Sequence, residues 1–182
     1  MAANARWTFG RVLLLVGRLA LAAIFLAAAY GKLSPLTAKQ WTISSLKITP
    51  ASLNLSMTFF AMQISSYQMF PDWSVSPIAH TLPWIEIALG IFLLTGLALR
   101  YVGVIATVFF AAFWALIIRS YALHLGINCG CFGPNEKLTG WRVVEDGGFF
   151  ALGLVVTIGA FILHRRNRVA VSALPQPELP AR

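Results

Sequence analysis

Charged side chains are scarce in this sequence, and their scarcity excludes an ordinary water-soluble domain. Asp, Glu, Lys and Arg make up 11% of the 182 residues, whereas 58% are hydrophobic. A soluble globular domain is typically about a quarter charged. The mean hydropathy of +0.75 points the same way. The sequence therefore predicts an integral membrane protein that is embedded in the lipid bilayer.

Cysteine, histidine and acidic residues are also few, and this limits the kinds of chemistry that the protein can perform. The two cysteines exclude a disulfide-stapled scaffold but allow one dithiol/disulfide couple. With three histidines, ligands for a structural zinc site are short, so metal binding ranks below redox chemistry. The net charge of +8 is better explained by membrane orientation and lipid headgroups. No basic helix with interleaved aromatic residues predicts a nucleic-acid face.

Four apolar segments are long enough to cross a bilayer, which needs about 20 residues. The sequence predicts an all-α, four-transmembrane-helix bundle in residues 1–163, with a disordered cytoplasmic tail over 164–182. The predicted spans cover residues 12–30, 83–99, 102–118 and 147–163.

The ends of these spans follow from proline and charge. Pro83 suits the first turn of the second span, Arg100 ends it, and Arg119 closes the third. The first span also resembles a cleavable signal peptide, but its length and the internal Arg18 favour retention.

An extra amphipathic helix is predicted at about residues 51–70, in the outer loop between the first two spans. That loop is about fifty residues long, too long for a simple connection. Its apolar residues recur at steps of three and four: Leu53, Met57, Phe60, Ile64 and Tyr67. The helix either lies over the outer ends of the bundle as a lid or docking surface, or serves stability alone.

The distribution of basic residues predicts cytoplasmic termini and an outward-facing cysteine loop. One side carries Arg6, Arg11, Arg100, Arg165, Arg166 and Arg168. The other side carries Lys32, Lys39, Lys47, Arg119, Lys137 and Arg142, diluted by four acidic residues. The first group lies closer to the span ends, so we expect it to face the cytoplasm.

Both cysteines, Cys129 and Cys131, lie in the loop between the last two spans, one residue apart. A disulfide between residues i and i+2 closes a tight, strained ring, and strained disulfides are the more oxidising ones. The pair is therefore a candidate redox centre. The alternatives are a non-reactive turn, or half of a metal site completed by His124 or a second chain. His124 is also a candidate acceptor for a thiol proton, or a solvated residue.

Charged residues inside the predicted spans need partners. Glu86 is expected about 5 Å below the outer end of its helix, and Arg18 roughly 18 Å below its own. Lys32 is therefore the better partner for Glu86, and Arg18 is expected to extend to the inner headgroups. The Lys32–Glu86 pair either tunes the acidity of the thiols or serves as a structural salt bridge. Acids at 145 and 146 are interpreted as capping the fourth helix.

Three sequence elements together resemble the MauE/DoxX family of redox-associated membrane proteins: residues 18–33, the run from Leu82 to Gly96, and the run from Cys129 to Gly133. The Cys-Gly-Cys-Phe-Gly string resembles the methylamine-utilisation MauE branch. The resemblance implies a four-helix bundle that supports disulfide formation in exported proteins with a thioredoxin-like periplasmic or extracellular partner. It also implies that Cys129 and Cys131 are the redox pair, with Glu86 and Lys32 at the family's acidic and lysine positions.

The leading hypothesis is a membrane thiol/disulfide redox protein, either a thiol-disulfide oxidoreductase or an accessory to one. A non-catalytic scaffold or assembly subunit is the main alternative. A transporter ranks last, because the sequence shows no inverted repeat. No cofactor is evident. Electron transfer to a quinone is left open, although no residues form a recognisable quinone site. Small residues permit close helix contacts within or between chains: Ala23, Ala27, Gly153 and Gly159.

Overall fold

A computed structural model describes residues 2–33, 50–128 and 138–172, and it places them in five α-helices. The helices are α1 (Ala2–Leu33), α2 (Pro50–Ser66), α3 (Asp72–Thr95), α4 (Leu99–Ala122) and α5 (Gly140–Ser172). These segments contain no β-strand. Four of the helices are long and apolar enough to cross a membrane, over Gly10–Leu33, Asp72–Thr95, Leu99–Ala122 and Gly140–Arg166. The predicted all-α membrane fold with four spans is confirmed.

The four long helices form a bundle in which α1 packs on α3 and α4 packs on α5. Leu21, Phe25, Leu93, Ala106 and Val156 belong to its buried core. Large apolar side chains on the outer faces stay exposed, for example Val108 at 62% and Ile158 at 55%. Exposure of this kind suits lipid, which solvates apolar side chains as well as a protein interior does. Because α1 supplies core residues, it is an integral part of the bundle.

Small residues bring α4 and α5 close together. A β-carbon at Gly103 would lie 2.8 Å from Oγ1 of Thr157, and one at Gly153 would lie 3.1 Å from Oγ1 of Thr107. The two threonine hydroxyls are 3.0 Å apart and share a hydrogen bond. Close backbone approach and interhelical hydrogen bonds are the usual basis of helix association in lipid. The α4–α5 contact is therefore a specific interface.

Helix α3 begins at Asp72, so the predicted start at Pro83 is wrong. Pro77 and Pro83 both lie inside the helix. A proline removes one hydrogen bond from a helix and usually bends or ends it. In membrane helices side chains compensate for such losses, and here the Thr81 hydroxyl donates to the carbonyl of Pro77 at 2.9 Å.

The turn between α3 and α4 also differs from the prediction, because Arg100 lies inside α4. Helix α3 ends at Thr95, and Gly96 caps it in the left-handed conformation with φ 72°. Its N–H donates to the carbonyl of Phe92 at 2.9 Å. Glycine adopts this conformation at no steric cost. A glycine, rather than a charge, therefore ends the helix.

Helix α5 is longer than predicted at both ends. It begins at Gly140 rather than 147 and continues to Ser172, so residues 164–172 are helical and the predicted disordered tail is wrong there. Basic residues do not break a helix when their side chains find neighbours. Nε of Arg168 donates to Nε2 of His164, one turn earlier, at 3.0 Å. Residues 173–182 lie outside the described part of the chain.

Helix α2 corresponds to the predicted amphipathic helix, and four of the predicted apolar positions are buried: Met57, Phe60, Ile64 and Tyr67. Phe60 and Ile64 pack against Val75 and Ala79 of α3. The two helices are joined by a short turn and run antiparallel. Helix α2 therefore lies alongside the first half of α3, rather than across the ends of the other helices.

Candidate functional site

A buried ion pair joins α1 to α3. Nζ of Lys32 lies 2.6 Å from Oε1 of Glu86, and the two side chains are only 2% and 3% exposed. Lys32 is in the last turn of α1, and Glu86 is on the buried face of α3. The sequence-based argument that Lys32 is the partner of Glu86 agrees with this geometry. Their predicted role in tuning thiols stays a prediction.

Aromatic rings pack around the ion pair. Nζ of Lys32 lies 5.4 Å from the ring centroid of Phe60 in α2 and 6.0 Å from that of Phe113 in α4. The Phe25 ring packs 4.7 Å from Phe110 and 5.6 Å from Phe109. An ammonium group over aromatic faces gains cation–π stabilisation, more so when it is desolvated. The two rings therefore add to the stabilisation that Glu86 gives the Lys32 ammonium group.

A cavity of about 30 Å³ adjoins the ion pair. One water molecule needs about 10–15 Å³ of such volume, so the cavity has room for one or two waters. Three charged residues line it, namely Lys32, Glu86 and Asp146, and the remaining lining is Ile24, Phe25, Ala28, Phe109, Phe110, Phe113 and Phe149. No described group donates a hydrogen bond to Oε2 of Glu86, which is fully buried. Within the described residues, one carboxylate oxygen of the ion pair therefore has no hydrogen-bond donor.

Sequence analysis missed the contribution of Asp146. It was interpreted as a capping acid at the start of the fourth helix, but it lies about 9 Å inside α5 and is only 8% exposed. The available signal was periodicity: Asp146 falls on the stripe that continues through Gly153, Val156 and Ala160, all buried. The neighbouring Glu145 lies on the other face and binds Arg142 at 2.9 Å.

The site lies deeper in the bundle than predicted. Glu86 is about 21 Å along α3 from Asp72, at about 1.5 Å per residue, rather than 5 Å from the helix end. The difference arises because α3 extends through Pro83 to Asp72. Helix α2 packs beside this extension and places Phe60 next to the Lys32 ammonium. The ion pair is therefore enclosed by α2 as well as by the spanning helices.

Cys129 and Cys131 lie outside the described residues, in the segment 129–137. The residues that flank this segment are held together: the N–H of Leu138 donates to the carbonyl of Ile127 at 3.1 Å. Leu138 also packs with Phe113 around the buried Ile117, and Phe113 lines the charged cavity. The two residues that flank the cysteine segment, Ile127 and Leu138, are thus in contact, and Phe113 connects Leu138 to the lining of the cavity.

His124 does not line the charged cavity. It follows α4 in the left-handed conformation with φ 51°, is exposed, and its ring stacks on Tyr121 at 6.5 Å. Within the described ranges no three side chains of the metal-binding types come together. The site chemistry found here is therefore that of an ion pair and a second carboxyl group.

Arg18 contacts the C-terminal end of α3. Its Nη2 donates to the carbonyl of Leu94 at 3.4 Å, and a β-carbon on Gly96 would collide with its guanidinium group. A cation at a helix C-terminus is stabilised by the unsatisfied carbonyls there. Arg18 thus caps the end of α3, and its predicted extension to the inner headgroups stays a prediction.

The fold and the site together define a multi-pass membrane protein, with a four-helix bundle, an additional helix α2 and a buried Lys–Glu pair. Residues 10–159 match the family described as Methylamine utilisation protein MauE. Because the match covers most of the sequence, the chain belongs to the MauE family. Comparisons with curated proteins and with solved structures gave no match.

Proposed function

We propose that this protein is a membrane thiol/disulfide redox protein of methylamine utilisation, which exchanges disulfides with a thioredoxin-like partner through Cys129 and Cys131. The observation that carries the proposal is the anchoring of segment 129–137 by the Ile127–Leu138 hydrogen bond. The residues that flank the segment are thereby held together beside the bundle. Membership of the MauE family supports the assignment to methylamine utilisation.

The exchange needs no cofactor. A thiolate of the partner attacks one sulfur of the Cys129–Cys131 disulfide, and the other cysteine leaves as a thiolate. The second thiolate of the partner then attacks the mixed disulfide. The partner leaves with a new disulfide, and this chain keeps both thiols, so two electrons and two protons are transferred to it. The strained i to i+2 ring favours this direction, because opening it relieves strain.

The proposed location is the bacterial inner membrane, with the termini in the cytoplasm and segment 129–137 outside. Helix α4 ends at Ala122 and helix α5 begins at Gly140, and segment 129–137 lies between these two residues in the sequence. The opposite end carries the Gly96–Ala98 turn and the adjoining Arg100. Basic residues near span ends are retained in the cytoplasm, which supports this orientation.

Labelling of intact cells with a membrane-impermeant maleimide tests the proposal. We expect the reduced cysteines of the full-length protein to react from outside, and a fraction to react only after reduction. In a C129S/C131S background, Trp141→Cys should label from outside and Leu97→Cys should not, because these exposed positions lie at opposite ends of the bundle. Thiols that are always reduced, or reachable only from the cytoplasm, would contradict the proposal.

Trapping of the partner is a second test. One of the single variants, C129S or C131S, should accumulate a mixed disulfide with a thioredoxin-like protein, because the resolving thiol is missing. The double variant should trap nothing and should lose cellular function.

A non-catalytic assembly subunit is the second candidate, and exposed apolar residues on α2 favour it. Leu55 is 47% exposed and Met62 is 61% exposed, which leaves α2 an apolar face for another membrane subunit. Under this alternative the C129S/C131S double variant would keep its cellular function, whereas polar substitutions at Leu55 and Met62 would abolish it.

A further inference from the structure

Four arginines lie where α4 begins and α5 ends: Arg100, Arg165, Arg166 and Arg168. All four are exposed or partly exposed. Helices α4 and α5 are antiparallel, because Gly103 meets Thr157 whereas Thr107 meets Gly153. The four residues therefore form one arginine cluster, at the end of the bundle that carries the turn between α3 and α4.

The packing of α4 on α5 brings side chains of this cluster together. A β-carbon at Gly103 would lie 3.5 Å from Cα of Thr157. From that contact toward the end of the bundle, Arg100 is about 4.5 Å away and His164 about 10.5 Å. Side chains lean toward the N-terminus of their own helix, so Arg100 and His164 lean toward each other. The charges of Arg100 and Arg168 both act on His164, and Nε of Arg168 donates to its Nε2 at 3.0 Å.

Acidic side chains of the described residues lie away from the arginine cluster. There are four such acids: Asp72, Glu86, Glu145 and Asp146. Glu86 binds Lys32, and Asp72 is at the opposite end of α3. Asp146, the nearer of the two acids on α5, is about 27 Å from His164 along the helix. Within the described ranges, this end of the bundle thus has cations that repel one another and favour a bound anion.

Exposed apolar side chains continue from the cluster along the outer face of α4. Tyr101, Ile105 and Val108 are 64%, 53% and 62% exposed and share one face of the helix. The guanidinium group of Arg100 lies 5.3 Å from the ring centroid of Tyr101, at the end of this stripe. The apolar span of α5 ends at Arg166, which places the cluster where the lipid headgroups begin.

We propose that the arginine cluster binds the phosphate of an anionic phospholipid, with Arg100 and Arg168 as its main ligands. Guanidinium groups bind phosphate oxygens with paired N–H donors, and basic pockets between spanning helices hold anionic headgroups. The acyl chains lie along the stripe from Tyr101 to Val108. A free phosphate would use the same guanidinium groups but would gain nothing from the apolar stripe, so the lipid is the occupant. The site uses neither cysteine.

Fluorescence quenching in vesicles tests the site. The full-length protein carries a bimane fluorophore at Leu97→Cys in the C129S/C131S background, because Leu97 is 62% exposed in the turn before α4. The vesicles contain equal parts of phosphatidylglycerol and phosphatidylcholine, and one of the two lipids is brominated. We expect brominated phosphatidylglycerol to quench more strongly. Both leaflets contain the quencher, so the result is independent of the orientation proposed above, and failure of the cysteine experiments would leave it unchanged.

Charge variants assign the preference to the cluster. R100Q and R168Q should each lower the preference for phosphatidylglycerol about fivefold, and the double variant should lose it. R100K/R168K should keep most of it, because the charges remain. The matched control R142Q should keep all of it, because Arg142 lies at the other end of the bundle and binds Glu145.

Three results would overturn the proposal. Equal quenching by the two brominated lipids would show that the cluster does not select anionic lipid. A preference that survives in R100Q/R168Q, or that disappears in R142Q, would show a general charge effect. Loss of the preference on addition of millimolar inorganic phosphate, with sodium chloride of the same ionic strength as the control, would show that the cluster takes a soluble anion instead.

Discussion

Replacement of Lys32 by methionine should destabilise the bundle strongly, because it removes one partner of a buried ion pair. The two side chains are almost completely buried, with N and O 2.6 Å apart, so solvent does not screen their attraction. Removing one partner of such a pair typically costs about 3–5 kcal/mol. Methionine is similar to lysine in length and packs among the same rings, so the change isolates the charge from the volume.

The control for this prediction is another ion pair within the described residues. Arg142 and Glu145 lie 2.9 Å apart, but their side chains are 22% and 32% exposed. Partly exposed pairs contribute about 0–1 kcal/mol, so R142M should change the free energy of unfolding little. The K32M/E86Q double variant should recover part of the K32M loss, because it removes a carboxyl group that has lost its cation.

The assay is reversible unfolding of the full-length protein in mixed micelles, followed by circular dichroism as the fraction of denaturing detergent rises. We expect the order wild type and R142M, then the double variant, then K32M. The reasoning would be refuted if K32M and R142M unfolded within about 1 kcal/mol of each other, since burial would then have no effect on the value of an ion pair.

Three further predictions concern packing. G103L should destabilise the α4–α5 interface by about 1–3 kcal/mol, because a β-carbon at Gly103 already meets the facing threonine at 2.8 Å. The control G148L should not destabilise it, because a β-carbon at Gly148 meets nothing within 4 Å. The same unfolding assay compares the two variants. G96A should cost about 1–2 kcal/mol for its left-handed conformation, and an added R18A substitution should relieve the extra collision but not that strain. A spin label at Phe59→Cys should be more accessible to oxygen than to a water-soluble relaxation agent, because we expect this exposed side chain of α2 to face lipid. Greater accessibility to the water-soluble agent would place α2 in water.

The number of spanning helices could be predicted from the sequence, because membrane length and hydropathy are properties of local segments. Each predicted span lies largely within a described helix, and each helix is longer than its span. The helix ends could not be predicted, since they depend on contacts made elsewhere. Pro83 looked like a first-turn proline, but tertiary packing keeps α3 helical on both sides of it.

Asp146 shows the same limit at the site. With the fourth helix expected to start at Gly147, Asp146 had to be a capping residue, because the first turn is where an acid is stabilised by the helix dipole. Once the helix starts at Gly140, the same residue falls on the inward stripe. A local error of about two turns in a helix boundary therefore hid one of three charged residues of the cavity.

The Lys32–Glu86 pair was predicted although the depth assigned to Glu86 was wrong, and the packing of α1 explains why. Arg18 binds the carbonyl of Leu94, which fixes the register of α1 against α3. From there Lys32 lies about 21 Å further along α1, and Glu86 about 12 Å along α3. The long lysine side chain bridges most of the remaining difference by pointing back into the bundle. The pairing of Lys32 with Glu86 thus depends on the register of α1 against α3. That register stays the same when the outer end of α3 is moved from Pro83 to Asp72.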